Sequence, residues 1–456
     1  MLAWPGHKFH NYNELMRTLK IPTVRHDLRF FIGRDDGECI YAHGRDSHRK
    51  DELERSKPWL LEDLKRWERC VNFVRRVNDF FCPPKTHRSV YRSSKLNPLN
   101  VISLWKLAHY LFGVSRKFWD DVFVPVHTST FLETHMDGLP AVIAELLEDI
   151  VPLSDPESYP VMDTWEAGNA REVFERLVEP LRKNKNCEVH TSNGVSSVTF
   201  AMRKARSIVV VTDEDGNTKE YDHIVFACGA PAVSRITKRF SIESSSILGS
   251  VWSLVSNSML QGVLSKISYT ESRDRMFLRG SAHSDASRVL PLKYKDELLK
   301  DYCNYVEVQS SSSSSSEENK KIRYENSFII SSWCPPTLVP GVKGKRPMLV
   351  SYNCEERLDG GDINHYERNV NGKEAHPCLT MTNLALSNVV WPWFQGMHDG
   401  RIYFCGSYVT PGNGHDLSML SGLVIAHALG AEYPFEKNEK ASEDFRLLQK
   451  LMGVTS

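Results

Sequence analysis

The chain has 456 residues, with 57 basic and 57 acidic side chains and therefore no formal net charge. The balance argues against a nucleic-acid binder that acts through bulk basic charge and against a polybasic membrane anchor. A content of 41% hydrophobic and 25% charged residues is that of an ordinary globular protein, and the length allows about two to three domains.

The sequence carries no run of about 18 apolar residues, so we expect no transmembrane helix. Its first residues lack the apolar core of a signal peptide. The ten cysteines contain no C-x-x-C pair, which favours free thiols in a reducing compartment and no metal site. These features predict a soluble, intracellular and, by default, cytoplasmic protein, and they leave the oligomeric state open.

Residues 1–45 are predicted to mix a helix with strands, and residues 46–159 to be mainly helical. Apolar spacing predicts helices over 10–19 and 59–80. Alternating apolar residues around the turn at Asp35, Asp36 and Gly37 predict a hairpin over 27–40.

The next part of the chain mixes a helix with strands. Val173, Phe174, Leu177 and Val178 form an apolar helical stripe, and Pro180 is expected to kink or end that helix. Strands are then predicted over four short segments, which are 187–190, 197–200, 207–212 and 218–221.

Residues 223–228 form a short apolar run bounded by Gly229 and Pro231. Such a run predicts a strand that is buried on both faces, as in an α/β core. Seven consecutive serines follow at 310–316, and they predict a disordered surface insertion over 309–320, inside a domain.

The most informative segment is near the end of the chain. Residues 401–405 predict a buried strand, 406–415 a glycine-rich loop, and 416–429 an almost uncharged helix. Asp416 or Ser418 is expected to cap the first turn of that helix. A strand, a glycine loop and a helix start together present backbone N–H groups to a ligand.

With these elements in place, the chain resembles the flavin-containing amine oxidase superfamily, in particular its predicted NAD/FAD-binding branch related to phytoene desaturases. The segments that resemble the superfamily occur in the expected order, and they are 165–171, 188–198, 222–231, 282–291 and 404–423. The resemblance implies an α/β fold. It consists of a discontinuous FAD/NAD(P)-binding Rossmann-like domain, here without its first βαβ unit, and a mixed α+β substrate domain.

The resemblance also implies domain bounds. The FAD-binding segments would be 160–235 and 395–435. The substrate domain would combine 46–159 with 236–394, leaving 1–45 as a remnant of the N-terminal region and 436–456 as a tail.

The resemblance places FAD against three parts of the chain. Val195 and Val198 would approach adenine, and core packing is the alternative for both. Gly229 and Pro231 would shape the loop at the ribose and pyrophosphate, or simply end a strand. The remaining cofactor-binding candidates belong to the C-terminal motif, and they are Gly406, Ser407, Asp416, Leu417 and Ser418.

Two histidines are the catalytic candidates. His415, beside the flavin loop, is placed to hold a proton, since histidine titrates near neutrality. His283, in a His-x-Asp pair with Asp285, would contact the substrate or the flavin. For both, the alternative is an ordinary hydrogen-bonded side chain.

Two departures from the superfamily pattern matter. No G-x-G-x-x-G is present, although those glycines let the backbone approach the pyrophosphate. Three interpretations stay open: a fragment or incomplete gene model, a non-catalytic descendant, or FAD binding by the remaining loops alone. Ser407 stands where many amine oxidases have glutamate, which weakens a specific amine oxidase assignment.

The function that these features predict is FAD-dependent oxidation of a small organic substrate by hydride transfer to the flavin. A non-catalytic remnant and a flavin-dependent isomerase or reductase are the alternatives. A small-molecule substrate is the expected partner, and no nucleic acid is expected.

Overall fold

The computed structural model describes most of the chain. The described residues are 3–43, 50–92, 94–131, 136–148, 161–165, 171–203, 206–238, 247–267, 279–310, 322–330, 347–352, 364–367, 377–412 and 414–454. Two features of the sequence lie outside them, namely residues 311–320 of the predicted serine-rich insertion and residues 166–170 of the segment 165–171 that resembles the superfamily.

The helices of the first half are α1 (His10–Thr18), α2 (Lys50–Ser56), α3 (Pro58–Phe81), α4 (Leu104–Phe112), α5 (Arg116–Phe118), α6 (Val124–Phe131), α7 (Ala144–Leu147) and α8 (Arg171–Lys183). Those of the second half are α9 (Ala230–Thr237), α10 (Ile247–Lys266), α11 (Ala286–Val289), α12 (Lys295–Asp301), α13 (Met381–Ala385), α14 (Met397–Gly400), α15 (His415–Ala428) and α16 (Glu439–Leu451). A π-helical turn, Trp119–Phe123, joins α5 to α6.

The strands are β1 (Ala3–Trp4), β2 (Thr23–Asp27), β3 (Phe30–Arg34), β4 (Cys39–Ala42), β5 (Val161–Trp165), β6 (Val195–Arg203), β7 (Arg206–Asp213), β8 (Thr218–Tyr221), β9 (Ile224–Phe226), β10 (Arg279–His283), β11 (Asn304–Ser310), β12 (Ile322–Ile329), β13 (Leu349–Tyr352), β14 (Asn364–Glu367) and β15 (Ile402–Phe404). They form a seven-stranded sheet (β14-β10-β13-β12-β11-β3-β4), two three-stranded sheets (β1-β5-β2 and β6-β7-β8) and the pair β15-β9. The chain is therefore a mixed helix and sheet protein, in agreement with the predicted α/β class.

Several local predictions are confirmed. The helices expected over 10–19 and 59–80 are α1 and α3, and the expected hairpin is the antiparallel pair β3–β4. Lys57 precedes α3 and Pro58 opens it, which suits proline because the first N–H groups of a helix need no intrahelical acceptor.

The hydrophobic interior is divided into two main clusters. The first packs α3, α4 and the α5–α6 run against the seven-stranded sheet, with Trp67, Trp119 and Phe123 fully buried. The second surrounds β9 and β15 and includes residues of α9, α10, α15 and α16. The segment expected to be a tail thus contains a helix, α16, that packs in the second core.

Three local predictions are wrong in whole or in part. The helix α8 does not end at Pro180 but continues to Lys183. Residues 187–190 form no strand. They lie at the surface, where the side chains of Glu188 and His190 contact each other at 3.0 Å.

The third error concerns the apolar run at 223–228. It forms the short strand β9, in which Phe226 is buried but Val225 is 38% exposed. In the described part of the chain β9 pairs with β15 alone. An apolar strand of this kind normally has a paired strand on each side, but here one edge of β9 has no strand partner among the described residues.

Among the described residues, no helix combines the length and apolar character needed to cross a membrane.

Candidate functional site

The two parallel strands β9 and β15 end at the same edge. Phe404 is in register with Phe226, and the N–H of Cys405 donates to the carbonyl of Phe226 at 2.9 Å. The loops that follow the two strands are therefore neighbours. The carboxyl ends of parallel strands are where α/β proteins place their ligands.

The glycine at the start of the second loop has a conformation that favours glycine. Gly406 has a φ of +113°, in the region that L residues rarely adopt. Its N–H donates to Ser421 Oγ at 2.8 Å. A Cβ at this position would lie 3.9 Å from the carbonyl oxygen of Ala227. Gly406 thus brings the second loop against the first.

The first loop leads directly into a helix. Gly229 is the N-cap of α9 and has an ordinary extended conformation (φ −61°, ψ 151°), and a proline occupies the first turn. That proline is Pro231, which suits the first turn because it has no N–H to satisfy. The N-terminus of α9 consequently points its backbone donors toward the end of β9.

The prediction that Asp416 or Ser418 caps α15 is wrong. Gly414 is the N-cap of α15, and it makes no side-chain cap. Asp416 lies inside the first turn and is completely buried. Its Oδ1 accepts the N–H of Tyr12 at 2.6 Å, and its Oδ2 accepts the hydroxyl of Tyr91. The carboxylate therefore ties α15 to α1 and to the segment after α3 instead of capping its own helix.

Burial dominates the electrostatics of Asp416. Desolvation raises the pKa of this carboxyl well above its usual range, the hydrogen bond from Tyr12 lowers it, and Asp444 raises it further. The other two cofactor-binding candidates on α15 make contacts within the protein. Leu417 is buried in the second core, and the N–H of Ser418 donates to the carbonyl of Gly414.

The two histidines proposed as catalytic lie in different parts of the fold. His415 opens α15, and its Nδ1 is 3.5 Å from the hydroxyl of Tyr12. His283 ends β10 in the seven-stranded sheet, where its Nε2 lies 2.8 Å from Ser351 Oγ. Burial lowers the pKa of His283, although Asp285 opposes that shift. The structure places only His415 beside the glycine loop.

The two valines predicted to approach adenine are in β6. Val198 is fully buried in the second core, and Val195 is a partly buried neighbour of that core. Packing accounts for the position of Val198.

A small cleft opens on one side of the glycine loop, with an enclosed volume of about 20 Å³, which is room for about one water molecule. Ser407, Thr410 and Gly412 line it from the loop, and residues 377–387 line it from the opposite side. The hydroxyl of Ser387 donates to the carbonyl of Thr410 at 2.8 Å, which fixes the loop against that wall. A Cβ at Gly412 would lie 2.7 Å from Leu417 Cδ1, so a larger residue would require the Leu417 side chain to move.

Sequence reasoning missed the partners of Asp416. Tyr12 and Tyr91 are 404 and 325 residues away from it along the chain. No local spacing signals these contacts, because only the fold brings the three residues together.

Known structures resemble most of the chain. One similar structure is a triple variant of putrescine oxidase with redesigned cofactor binding. The match covers 94% of this chain and 87% of the putrescine oxidase chain, with a TM-score of 0.55 and 11% sequence identity. Wild-type putrescine oxidase bound to putrescine matches 94% of this chain and 88% of its own, with a TM-score of 0.53 and 11% identity. The chain has the fold of putrescine oxidase.

This likeness confirms the resemblance to the amine oxidase superfamily at the level of the fold. No protein-family model and no curated protein matches the sequence.

Proposed function

We propose that the chain is an FAD-dependent oxidoreductase that oxidises a small organic substrate. The main support is the edge at which β9 and β15 end, because it brings the loop at Gly229 beside the loop at Gly406. Both loops lead to helix N-termini, at α9 and α15, which favour negative charge.

The residues at this edge fit a flavin cofactor in part. Gly229 and Pro231 would lie at the phosphate and ribose, while Gly406, Ser407 and the first turn of α15 would lie at the flavin ring. FAD, when bound, supplies a ring that accepts a hydride from a substrate carbon. The protein's share is to position the ring and to place a helix N-terminus where negative charge develops.

The cleft beside the glycine loop is the proposed substrate site. It is lined by both apolar and polar side chains, including Ile143, Leu384, Thr380 and Asn383, and it must widen to admit a small organic molecule, since its enclosed volume is about 20 Å³. His415 is the proposed proton carrier, since it opens α15 and contacts Tyr12. His283, in another sheet, is proposed to organise that sheet through Ser351.

A non-catalytic descendant of a flavoprotein is the second candidate. It is favoured by two observations: the sequence has no G-x-G-x-x-G, and β9 leaves Val225 exposed. This candidate predicts a folded protein that does not retain flavin.

FAD is expected to protect one cysteine from alkylation. The thiol of Cys228 is exposed and adjoins Gly229, whereas Cys405 is buried, and burial together with Cys228 raises the pKa of Cys405 to about 11. We expect iodoacetamide to modify Cys228 at least about tenfold more slowly with saturating FAD than without it, because the cofactor covers the loop. Peptide mass spectrometry measures the rate at each cysteine.

Two internal controls make that experiment specific. Cys82, which is partly exposed and follows α3, should react at the same rate with and without FAD. The protection should be lost in Gly406→Ala but kept in Gly422→Ala, since a Cβ at Gly422 meets nothing within 4 Å. Equal modification of Cys228 with and without FAD would contradict the proposed site.

A further inference from the structure

Three side chains that are distant in sequence meet in a buried cluster beside α1 and α16. His10 Nδ1 lies 3.0 Å from Asp444 Oδ2, and His87 Nε2 lies 3.0 Å from Asp444 Oδ1. The side chain of Asp444 is fully buried, while those of His10 and His87 are 10% and 11% exposed. The pairs are 434 and 357 residues apart along the chain, so the fold alone assembles them.

The chemistry of this cluster is that of a transition-metal site. Imidazole nitrogens and a carboxylate oxygen are common ligands of zinc and of iron(II). One ligand atom from each side chain can be chosen so that all lie within 4.8 Å of one another. In a tetrahedral zinc site with bonds of about 2.0–2.1 Å, ligand atoms are about 3.3 Å apart. His10 and His87 approach different oxygens of Asp444, so a single ligand oxygen lies 3.0 Å from one imidazole nitrogen, and the other separations must adjust by side-chain rotation.

A second carboxylate supports the orientation of one histidine. The ring nitrogen of His87 that does not face Asp444 is Nδ1, which lies 3.0 Å from the hydroxyl oxygen of Thr86 and 3.5 Å from Glu443 Oε2. Glu443 is itself held by the N–H of Thr86 at 3.0 Å. Metal-bound histidines commonly direct their second nitrogen to such a carboxylate. This arrangement keeps Nε2 of His87 turned toward Asp444.

The surroundings of Asp444 also suit a metal ligand. Its side chain is fully buried, His10 and His87 each contact it at 3.0 Å, and the hydroxyl of Ser89 donates to its Oδ1. A divalent cation would offset the negative charge of this buried carboxylate.

We propose that His10, His87 and Asp444 bind one divalent zinc ion that holds α1 and the segment after α3 against α16. All three side chains have low exposure, and a water molecule would complete the tetrahedron as the fourth ligand. The cysteine spacing gave no indication of it, since none of the ligands is a cysteine. The proposal is independent of flavin binding.

The test is a titration of the metal-free, full-length protein with Zn²⁺ by isothermal calorimetry, after treatment with a chelator. We expect one ion per chain in a Cys228→Ser background, which removes an exposed thiol. His87→Gln should weaken binding by at least about a hundredfold, because it removes a ligand. Glu443→Gln should weaken it by about 10–100-fold, because it removes the group that orients His87.

The matched control is His190→Gln, which changes an exposed histidine beside Glu188 and should leave the affinity unchanged. If His87→Gln does not fold, the ligand field of Co²⁺ bound to the unsubstituted protein identifies a tetrahedral nitrogen and oxygen site. Absence of stoichiometric Zn²⁺ binding, or equal binding by a folded His87→Gln variant and the unsubstituted chain, would show that the cluster is only a hydrogen-bonded network. Equal binding by Glu443→Gln would contradict the orienting role of Glu443.

Discussion

Asp416→Ala is expected to lower the free energy of unfolding by about 2–5 kcal/mol. The substitution leaves the N–H of Tyr12 and the hydroxyl of Tyr91 without their acceptor, and each unsatisfied buried group costs about 1–3 kcal/mol. The loss falls where α1, the segment after α3 and α15 meet. Urea denaturation followed by circular dichroism measures it.

Asp416→Asn is the matched variant for this prediction. Burial raises the pKa of Asp416, so the neutral amide resembles the form of the carboxyl that the core favours. The amide oxygen can accept from Tyr12, and the amide nitrogen can donate to the hydroxyl of Tyr91. We expect its unfolding free energy to lie within about 1 kcal/mol of the unsubstituted chain. Equal destabilisation by alanine and asparagine would contradict the role given to the two hydrogen bonds.

Acidification is expected to destabilise the fold through His127. This residue lies in α6 and is completely buried, and its Nδ1 donates to the carbonyl of Phe123 at 2.7 Å. Burial lowers its pKa from 6.5 to about 4, although the bond to Phe123 opposes the shift. The folded state therefore holds neutral histidine, while the unfolded state takes up a proton below about pH 6.5.

The sign of the pH dependence follows from this difference in proton uptake between the folded and unfolded states. The contribution of His127 to the free energy of unfolding is complete above about pH 6.5, and it is lost as the pH falls toward about 4. At about 1.4 kcal/mol per pKa unit, the full loss is about 3 kcal/mol, of which about 2 kcal/mol appears between about pH 7 and pH 5. Urea midpoints at the two pH values measure it.

His127→Asn should remove that part of the pH dependence. The asparagine amide can still donate to the carbonyl of Phe123, but it does not titrate. We expect the variant to lose about 2 kcal/mol less stability than the unsubstituted chain between about pH 7 and pH 5. His190→Asn, at an exposed position, should behave like the unsubstituted chain. If both variants keep the full pH dependence, His127 is not its source.

Local patterns in the sequence predicted the elements whose conformation is set by near neighbours. The spacing of apolar residues located α1 and α3 correctly, and the alternation around Gly37 located the β3–β4 hairpin. Gly406 was also recognised as a special position, and its positive φ explains why a glycine is there.

Long-range contacts could not be predicted in the same way. The exposure of Val225 depends on which strands flank β9, and no property of residues 223–228 reveals that. Asp416 looked like a helix cap because it stands at a helix start, but its carboxylate is bound by Tyr12 and Tyr91. The cluster of His10, His87 and Asp444 is of the same kind, since three separate segments supply it.

Retention of flavin by the purified chain tests the proposed function most directly. The visible absorption spectrum is recorded before incubation with FAD and again after incubation and desalting. We expect flavin bands that survive desalting at close to one flavin per chain, and weaker bands for Gly406→Ala than for Gly422→Ala. A folded protein that is colourless after desalting would contradict the oxidoreductase proposal for this chain and would support the non-catalytic descendant.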